Sequence, residues 1–562
     1  MTKIETFDFN LSEIETIRKK KYGEKWPVVY FIHNENEAYI GETTNVYVRS
    51  SQHIKNPLRK KLHKIHVISD DEFNKSAIMD IESALIKYVS ADNKFKLQNL
   101  NSGLQNHDYY QKDHYQEKIF RIWEKLQNKK IVNSSLRSIE NSDLFKYSPY
   151  KSLTTDQYFA VDFILQILAE NFYENKSFVM NGSAGTGKTV LAVYLIKLLK
   201  SFEKSEYVLD EEQDINYISY ISDILKQKSS LKIGLVVPQV SLRKTLKQVF
   251  RNVHGLSPNM VLGPSDVVKE KYDILFVDEA HRLKRRINIT NFDSYDKNNR
   301  RLGIDKESTE LDWIIQQSSH QIFFYDQDQS IRPSDVRKEG FENLMFSKSK
   351  NIVTYQLKSQ LRCLGGNDYV EYVKSIFSIE PPKEKIVFSN YEFKIYDNIK
   401  DMINKITIND GDAGLSRVLA GYAWKWKTKG KSLDEIQEKS MFDFEIEGLK
   451  LVWNSTNQDW VNSKNAINEV GCIHTTQGYD LNYAGVIIGN ELSYDSDNQC
   501  LIIKKENYFD SNGYRGIKDI DELKKYILNI YQTLLLRGIK GTYIYVCDQN
   551  LKDYLKKYID FA

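Results

Sequence analysis

The ten residues Met180-Asn181-Gly182-Ser183-Ala184-Gly185-Thr186-Gly187-Lys188-Thr189 constrain this chain more than any other stretch. GSAGTGKT fits G-x-x-x-x-G-K-[ST]. The apolar run Ser177 to Met180 ahead of it reads as a short buried strand, and Val190 to Leu199 behind it carries apolar residues at helical spacing. Glycines let the backbone between them curl, so that successive N–H groups point at phosphate oxygens. The helix then starts with its positive end facing that anion. On this reading Gly182, Ser183, Ala184, Gly185, Thr186 and Gly187 form the cradle, Lys188 reaches the β- and γ-phosphates, and the Thr189 hydroxyl ligates Mg²⁺. The ligand is a nucleoside triphosphate.

A second strand completes the site. Tyr272-Asp273-Ile274-Leu275-Phe276-Val277 reads as a central strand whose end delivers Asp278 and Glu279, followed by Ala280-His281. Ligands of open α/β sheets sit at such strand ends. Asp278 is placed to hold the Mg²⁺ hydration shell beside Thr189, and Glu279 to orient or deprotonate the attacking water. Lys232 to Gln239 reads as a further buried strand ending in a loop, and Gln321 to Gln329 as another ending in polar residues.

With 562 residues, several domains are expected, roughly three or four by length. The net charge is only +3, so the chain is no polycation and any nucleic-acid surface is local. Cys363, Cys472, Cys500 and Cys547 are scattered with no C-x-x-C, which argues against a disulfide framework or zinc and fits a reducing interior. The charged N-terminus lacks a signal-peptide core, and no apolar run reaches spanning length. A soluble, cytoplasmic protein with no membrane partner is expected.

Several of these positions resemble helicase motifs. Gln157, about 30 residues before the phosphate loop, resembles the glutamine with which helicases read adenine; Thr155 or Asp156 would cap its helix. Ser241, Arg243 and Lys244 follow a strand at a position that contacts the nucleic-acid backbone in helicases. Gln329 resembles the superfamily 1 glutamine that senses the γ-phosphate. Gln356 to Cys363 resembles the motif that supplies an arginine, Arg362, across a lobe cleft. Thr476-Gln477-Gly478, followed by Asp480 where glutamate is usual, resembles the motif linking ATP to the strand; Tyr531 to Gly541 resembles the last motif, with Arg537 at the γ-phosphate. Residues 151–562 are thus similar to a superfamily 1 helicase core, and the wording CIHTTQG and LLLRGIKGTYIYVCD is most like the Schlafen group 3-like DNA/RNA helicase family.

The first 105 residues read differently. Trp26 to Ile32 and Ala38 to Gly41 form a strand hairpin around the polar turn His33 to Glu37. A helical stretch then carries Arg49 and, one turn on, His53; a second, Ser76 to Val89, carries Glu82. This order resembles the GIY-YIG nuclease family, with Val28-Val29-Tyr30 in place of GIY, Tyr39-Ile40-Gly41 literal, and Asn101 as the late asparagine. The resemblance implies a metal-dependent endonuclease: Glu82 holds a divalent metal, Arg49 stabilises developing charge, and Tyr30 or Tyr39 with His53 positions or deprotonates water. The basic run Lys55 to Lys64 either grips phosphates or is a solvated face, and the basic stretch Arg282 to Arg301 is either nucleic-acid-facing, a mobile insertion or a solvated loop.

The expected architecture is α/β: two RecA-like parallel-sheet lobes, 151–345 and 346–562, preceded by a small α+β GIY-YIG-type nuclease domain, 1–105, and a helical bridge, 106–150, with a flexible point at Asn133-Ser134-Ser135. The expected function is an ATP- and Mg²⁺-dependent helicase or translocase on nucleic acid, DNA favoured over RNA, fused to a nuclease that takes its own divalent metal. Such a pairing fits defence against foreign DNA, or repair. The alternative is an ATPase switch that senses nucleic acid and licenses the nuclease without unwinding; a third reading makes the N-terminal domain a binding module.

Overall fold

The computed structural model describes residues 2–99, 109–203, 215–336, 339, 352–456, 459–476 and 479–562. Three sheets organise it. The N-terminal sheet has the order Lys3–Asp8, Lys64–Ser69, Val28–His33, Glu37–Thr43, Lys96–Leu97; only its last pair is parallel. Side chains alternate across a strand, and both faces here are covered. Val28, Tyr30 and Ile32 pack with Ile14, Ile17 and Val46, while Val29 and Phe31 pack with Ile78, Ile81 and Leu85 of the helix Lys75–Asp92. Strand Val28–His33 is therefore apolar on both sides, which is why it read as a continuous run.

The first lobe is a six-stranded, wholly parallel sheet ordered Ile352–Leu357, Ser177–Gly182, Ser318–Tyr325, Tyr272–Val277, Ile233–Val236, Val261–Leu262. Ile352–Leu357 was expected in the second lobe. It is instead the edge strand beside the phosphate-loop strand, so the lobe boundary lies beyond Leu357 and not at residue 345. The second lobe is also wholly parallel, ordered Val470–Cys472, Ser416–Ala420, Leu481–Ile488, Gly538–Val546, Glu392–Tyr396, Asp560–Phe561. A separate antiparallel hairpin pairs Phe444–Ile446 with Leu449–Leu451.

The bridge is not a tether. Tyr115, Ile119, Ile122, Trp123 and Leu126 of the helix Lys112–Asn128 join one contiguous core that runs from Ile81 and Leu85 to Val161, Leu165 and Leu191 of the first lobe. The flexible point expected at Asn133 is also corrected. The N–H groups of Asn133 and Ser134 donate to the buried Asp92 carboxylate at 2.9 and 2.6 Å, and Ser135 caps the next helix, Leu136–Glu140. Among the described residues, no helix is long and apolar enough to cross a membrane.

Candidate functional site

The phosphate loop joins Ser177–Gly182 to the helix Lys188–Glu203. Gly185 and Gly187 have φ of +87° and +73°, which side-chain-bearing residues rarely adopt. A Cβ on Gly185 would also meet the Gln360 carboxamide at 2.0 Å. Ser183 and Ala184 lie between these turns; the Thr186 hydroxyl donates to the Ser183 carbonyl at 3.0 Å. Lys188 Nζ donates to the Gly182 and Ser183 carbonyls at 2.6 and 3.0 Å and lies 3.6 Å from Asp326 Oδ2.

Gln157 is buried beneath the loop. Its Nε2 donates to the Thr186 carbonyl at 3.0 Å, and its Oε1 accepts from Thr154 N–H at 3.1 Å in a capping box. The cap is thus Thr154, not Thr155 or Asp156, and both ends of the amide are engaged within the chain. Reading a base edge would require those bonds to break.

Thr189 Oγ1 donates to Asp278 Oδ2 at 2.7 Å. Asp278 is fully buried, and burial first, then the charge of Glu279, pushes its carboxyl up. Burial acts to raise Glu279 as well, but His281 and Lys188 outweigh it and hold that carboxyl low. His281 Nε2 lies 2.9 Å from Glu279 Oε2, close but off the line a hydrogen bond needs. Glu279 stands in left-handed conformation, φ 51° and ψ 46°. A hydroxyl and a carboxylate side by side, with a second carboxylate adjoining, form the hard oxygen set that Mg²⁺ takes together with its waters. The residues present fit that ion.

From Asp326 the polar path continues across the lobes. Gln329 Nε2 donates to Asp326 Oδ2 at 2.6 Å, and Arg537 Nη2 donates to Gln329 Oε1 at 3.2 Å. Arg537 is 1% exposed and also donates to the carbonyls of Thr533 and Tyr479. Arg362 follows Gln360 and Leu361, which donate to the loop carbonyls of Ala184 and Gly185 at 2.7 and 2.9 Å. Its guanidinium pairs with Asp480. Gln477 and Gly478 lie outside the described residues. Beside them, Thr475 and Thr476 donate to the Cys472 carbonyl, each at 2.9 Å.

Two basic stretches set beside nucleic acid in the sequence are partly engaged within the chain. Ser241 is buried, and Arg243 donates to the Val237 carbonyl at 2.8 Å with its guanidinium against Gly263, so it braces a strand end; of the three, Lys244 is exposed. The stretch Arg282 to Arg301 is an ordered subdomain. Its helix Phe292–Leu302 packs Tyr295 on Trp313, and Arg286 pairs with Asp296 and Glu307.

In the N-terminal domain Tyr30, Tyr39 and His53 converge. Tyr30 Oη lies 2.7 Å from His53 Nε2, and the His53 and Tyr39 rings are 5.0 Å apart. Arg59 Nη1 is 2.5 Å from His53 Nδ1, and its guanidinium lies 3.7 Å from the Tyr39 ring centroid. Arginine only donates, so Nδ1 accepts and the ring proton sits on Nε2, facing Tyr30. Burial, then Arg59 and Arg49, lower the His53 pKa to about 2, in keeping with a neutral ring. His53 is therefore placed to orient the Tyr30 phenol and not to take its proton. Gly41 makes the room: a Cβ there would lie 2.2 Å from Tyr30 Oη. Arg49, on the same helix, donates to Gln52 at 3.2 Å; Glu82 is half-buried on the helix Lys75–Asp92. Asn101 lies outside the described residues. No cluster of three metal-ligating side chains occurs among the described residues.

Sequence reasoning missed three participants. Arg59 had a signal, its place in the basic run. Lys146 and Arg332 had none. Lys146 reaches Asp480 Oδ2 at 3.3 Å, and Arg332 Nη2 lies 2.6 Å from His474 Nε2 and 3.4 Å from Asp510 across the lobe boundary.

Two parallel-sheet lobes closed on a phosphate loop, with a buried arginine of one reaching the polar strand end of the other, define a RecA-like pair of helicase type. The chain belongs to the family described as Schlafen group 3, DNA/RNA helicase domain, whose model matches residues 175–548, about two thirds of it. It is similar to the uncharacterized protein YPL245W of Saccharomyces cerevisiae, 26% identical over 433 residues, spanning 70% of this chain and 88% of that one. Two solved structures are more distant. One is a DEAD box protein from the hyperthermophile Methanococcus jannaschii, at 13% identity and TM-score 0.23, covering 76% of this chain and 94% of that one. The other is the Pif1 helicase from Bacteroides in complex with ADP-AlF3 and ssDNA, at 13% identity and TM-score 0.25, covering 70% and 92%. At those scores neither adds to what the sheet orders say of the fold.

Proposed function

We propose that the chain hydrolyses ATP between its lobes and couples that hydrolysis to movement along a nucleic-acid strand, DNA favoured over RNA. The observation that supports it best is the path Lys188–Asp326–Gln329–Arg537, which runs from the phosphate loop of one lobe to a buried arginine of the other. Lys188 and the loop N–H groups bind the phosphates. Thr189 and Asp278 hold Mg²⁺, which neutralises phosphate charge when bound. Glu279 aims the water. Gln329 registers the γ-phosphate, and Arg362 and Arg537 stabilise charge on the transferring group; such arginines are worth roughly 10³–10⁵ in rate. Loss of the γ-phosphate would loosen Lys188 and Gln329 together and so alter the grip of one lobe on the other. ATP turnover with and without single- and double-stranded DNA and RNA tests this. Stimulation by a strand, abolished in Lys188→Ala, is expected; equal turnover without any nucleic acid, or an active Lys188→Ala, would refute it.

For residues 1–105 the reading is a GIY-YIG-type, metal-dependent endonuclease. It is supported by Tyr30, Tyr39 and His53 gathering where Gly41 leaves space for the phenol. Tyr30, oriented by His53, would face the water, Arg49 the developing charge, and Glu82 the metal. Nicking of plasmid DNA with Mg²⁺ or Mn²⁺ is expected from the intact chain and not from Arg49→Ala or Glu82→Ala. Equal activity in all three would leave a binding module.

A second reading of the motor, a switch that licenses cutting without unwinding, is favoured by the core shared between the N-terminal domain and the first lobe. Duplex separation by Glu82→Ala decides between them. Strand release supports the translocase; ATP-dependent cutting by the intact protein with no strand release supports the switch.

A further inference from the structure

Three bodies meet on the segment from Val132 to Tyr150. On the N-terminal domain, the Tyr88 hydroxyl donates to Glu140 at 3.0 Å and its ring stacks on Phe145 with centroids 5.5 Å apart. On the first lobe, the Thr245 hydroxyl donates to Asp143 at 3.2 Å. On the second, Arg137 donates to the Gly411 carbonyl at 2.6 Å and Asn482 donates to Asn141 at 3.0 Å. Between these anchors the short helix Asp143–Lys146 aims Lys146 at Asp480.

We infer that Lys146 is a positioning residue of the ATPase cleft: it holds Asp480, and through that carboxylate governs whether the Arg362 guanidinium is free to reach the phosphoryl group. The inference rests on the ATP-hydrolysis reading above. Asp480 is shared, with Arg362 Nε on Oδ1 and Lys146 Nζ 3.3 Å from Oδ2. Both Asp480 and Lys146 are only 18% exposed at the side chain. The two residues before Arg362 are tied to the phosphate-loop carbonyls, so its side chain starts within reach of bound phosphates yet points to Asp480. Turning Arg362 toward the phosphoryl group removes one cation from a mostly buried carboxylate, and a buried charge left alone is costly. Lys146 is the contacting cation that stays, while Arg537 and Lys151 act on Asp480 without a contact at ion-pair distance. Asp143 also faces Lys146, but it is engaged by Thr245. A cavity of about 190 Å³ opens beside Lys146, Lys151, Arg362 and Asp480, so this carboxylate and its cations are not locked in a solid core. The adjoining Tyr479 carbonyl holds Arg537, so residues 479 and 480 set both arginines at once.

The test is single-stranded-DNA-stimulated ATP hydrolysis by the full chain, as wild type, Lys146→Met, Lys146→Arg, Asp480→Asn and the double variant Lys146→Met/Asp480→Asn. Lys146→Met is expected to lower kcat at least fivefold with KM for ATP within twofold. Lys146→Arg, which keeps the charge, is expected to recover most of the rate. With Asp480→Asn the anion is gone, so adding Lys146→Met is expected to change kcat less than twofold. Lys146→Gln, checked for an unchanged Tm, guards against a variant that fails to fold, and the same fivefold loss is expected there. Wild-type kcat in Lys146→Met or Lys146→Gln, or an undiminished loss on top of Asp480→Asn, would overturn the inference while leaving the ATPase reading intact. A wild-type chain that turns over no ATP would remove both.

Discussion

At the residue scale, Glu279 carries the most information. A side-chain-bearing residue at φ 51° is strained, and such strain costs of order 1–3 kcal/mol where the surroundings enforce it. Here the end of strand Tyr272–Val277 enforces it, with Asp278 N–H fixed on the Val236 carbonyl at 3.0 Å. The turn leaves the buried Glu279 carboxylate beside Asp278, 2.9 Å from His281. A group that acts on water and does not bind the nucleotide should be separable from binding. Glu279→Gln is therefore expected to lower ATP turnover by about 10²–10⁴-fold, the usual span for a positioned acid or base. Affinity for a fluorescent ATP analogue should stay within a few fold. Turnover that survives the change would take Glu279 out of the water-handling role. Thr189, Asp278 and Glu279 were legible because each sits in a local motif. Lys146 was not, because its partner Asp480 lies far along the chain and nothing near Lys146 marks it.

At the element scale, the edge strand Ile352–Leu357 illustrates what a sequence hides. Its burial pattern is that of a half-covered edge, and its parallel partner Ser177–Gly182 lies well upstream. Local patterning reports that a strand exists, not which sheet takes it, so the lobe boundary was misplaced. The helix Ile473–Thr476 gives the second case, since its neighbours come from both lobes. Gln239 of the first lobe donates to the His474 carbonyl at 3.5 Å, and Arg332 lies against the His474 ring. His474 Nε2 lies 2.6 Å from Arg332 Nη2 and 3.1 Å from Asp510 Oδ2; the His474 contact first, then the charge of Arg332, hold the Asp510 carboxyl low against burial. Burial first and Arg332 second lower the His474 pKa to about 4. The unfolded chain takes up a proton near pH 6.5, whereas the closed lobes exclude it until about pH 4. Stability from this site is therefore full above pH 6.5 and lost as the pH falls from there toward 4. Denaturant unfolding across that range should show about one proton fewer taken up in His474→Gln than in wild type. Identical pH slopes would mean the ring is not held neutral.

At the scale of the whole molecule, the N-terminal domain and the first lobe share one core, and Trp123 stands in its middle. Its side chain is 1% exposed, its indole N–H donates to the Ser134 carbonyl at 3.0 Å, and its ring lies 5.7 Å from that of Tyr88. A polar, charged stretch between two recognisable domains reads as a linker because composition is averaged over all its residues. What matters is the one helical face, Tyr115, Ile119, Ile122, Trp123 and Leu126, that both neighbours need. If the domains were beads on a string, damage to that face would destabilise neither. Because they are fused, Trp123→Ala should cost about 3–5 kcal/mol, the usual range for emptying a buried tryptophan site. The loss should appear in the N-terminal domain and the first lobe together. Scanning calorimetry, with hydrogen exchange followed separately in the strands Val28–His33 and Ser177–Gly182, reads this directly. Both strands should lose protection in parallel, since neither keeps its core when the other opens. Protection lost in one strand and retained in the other would mean two cores that merely touch, and would remove the rigid connection through which cleft closure could reach the N-terminal site.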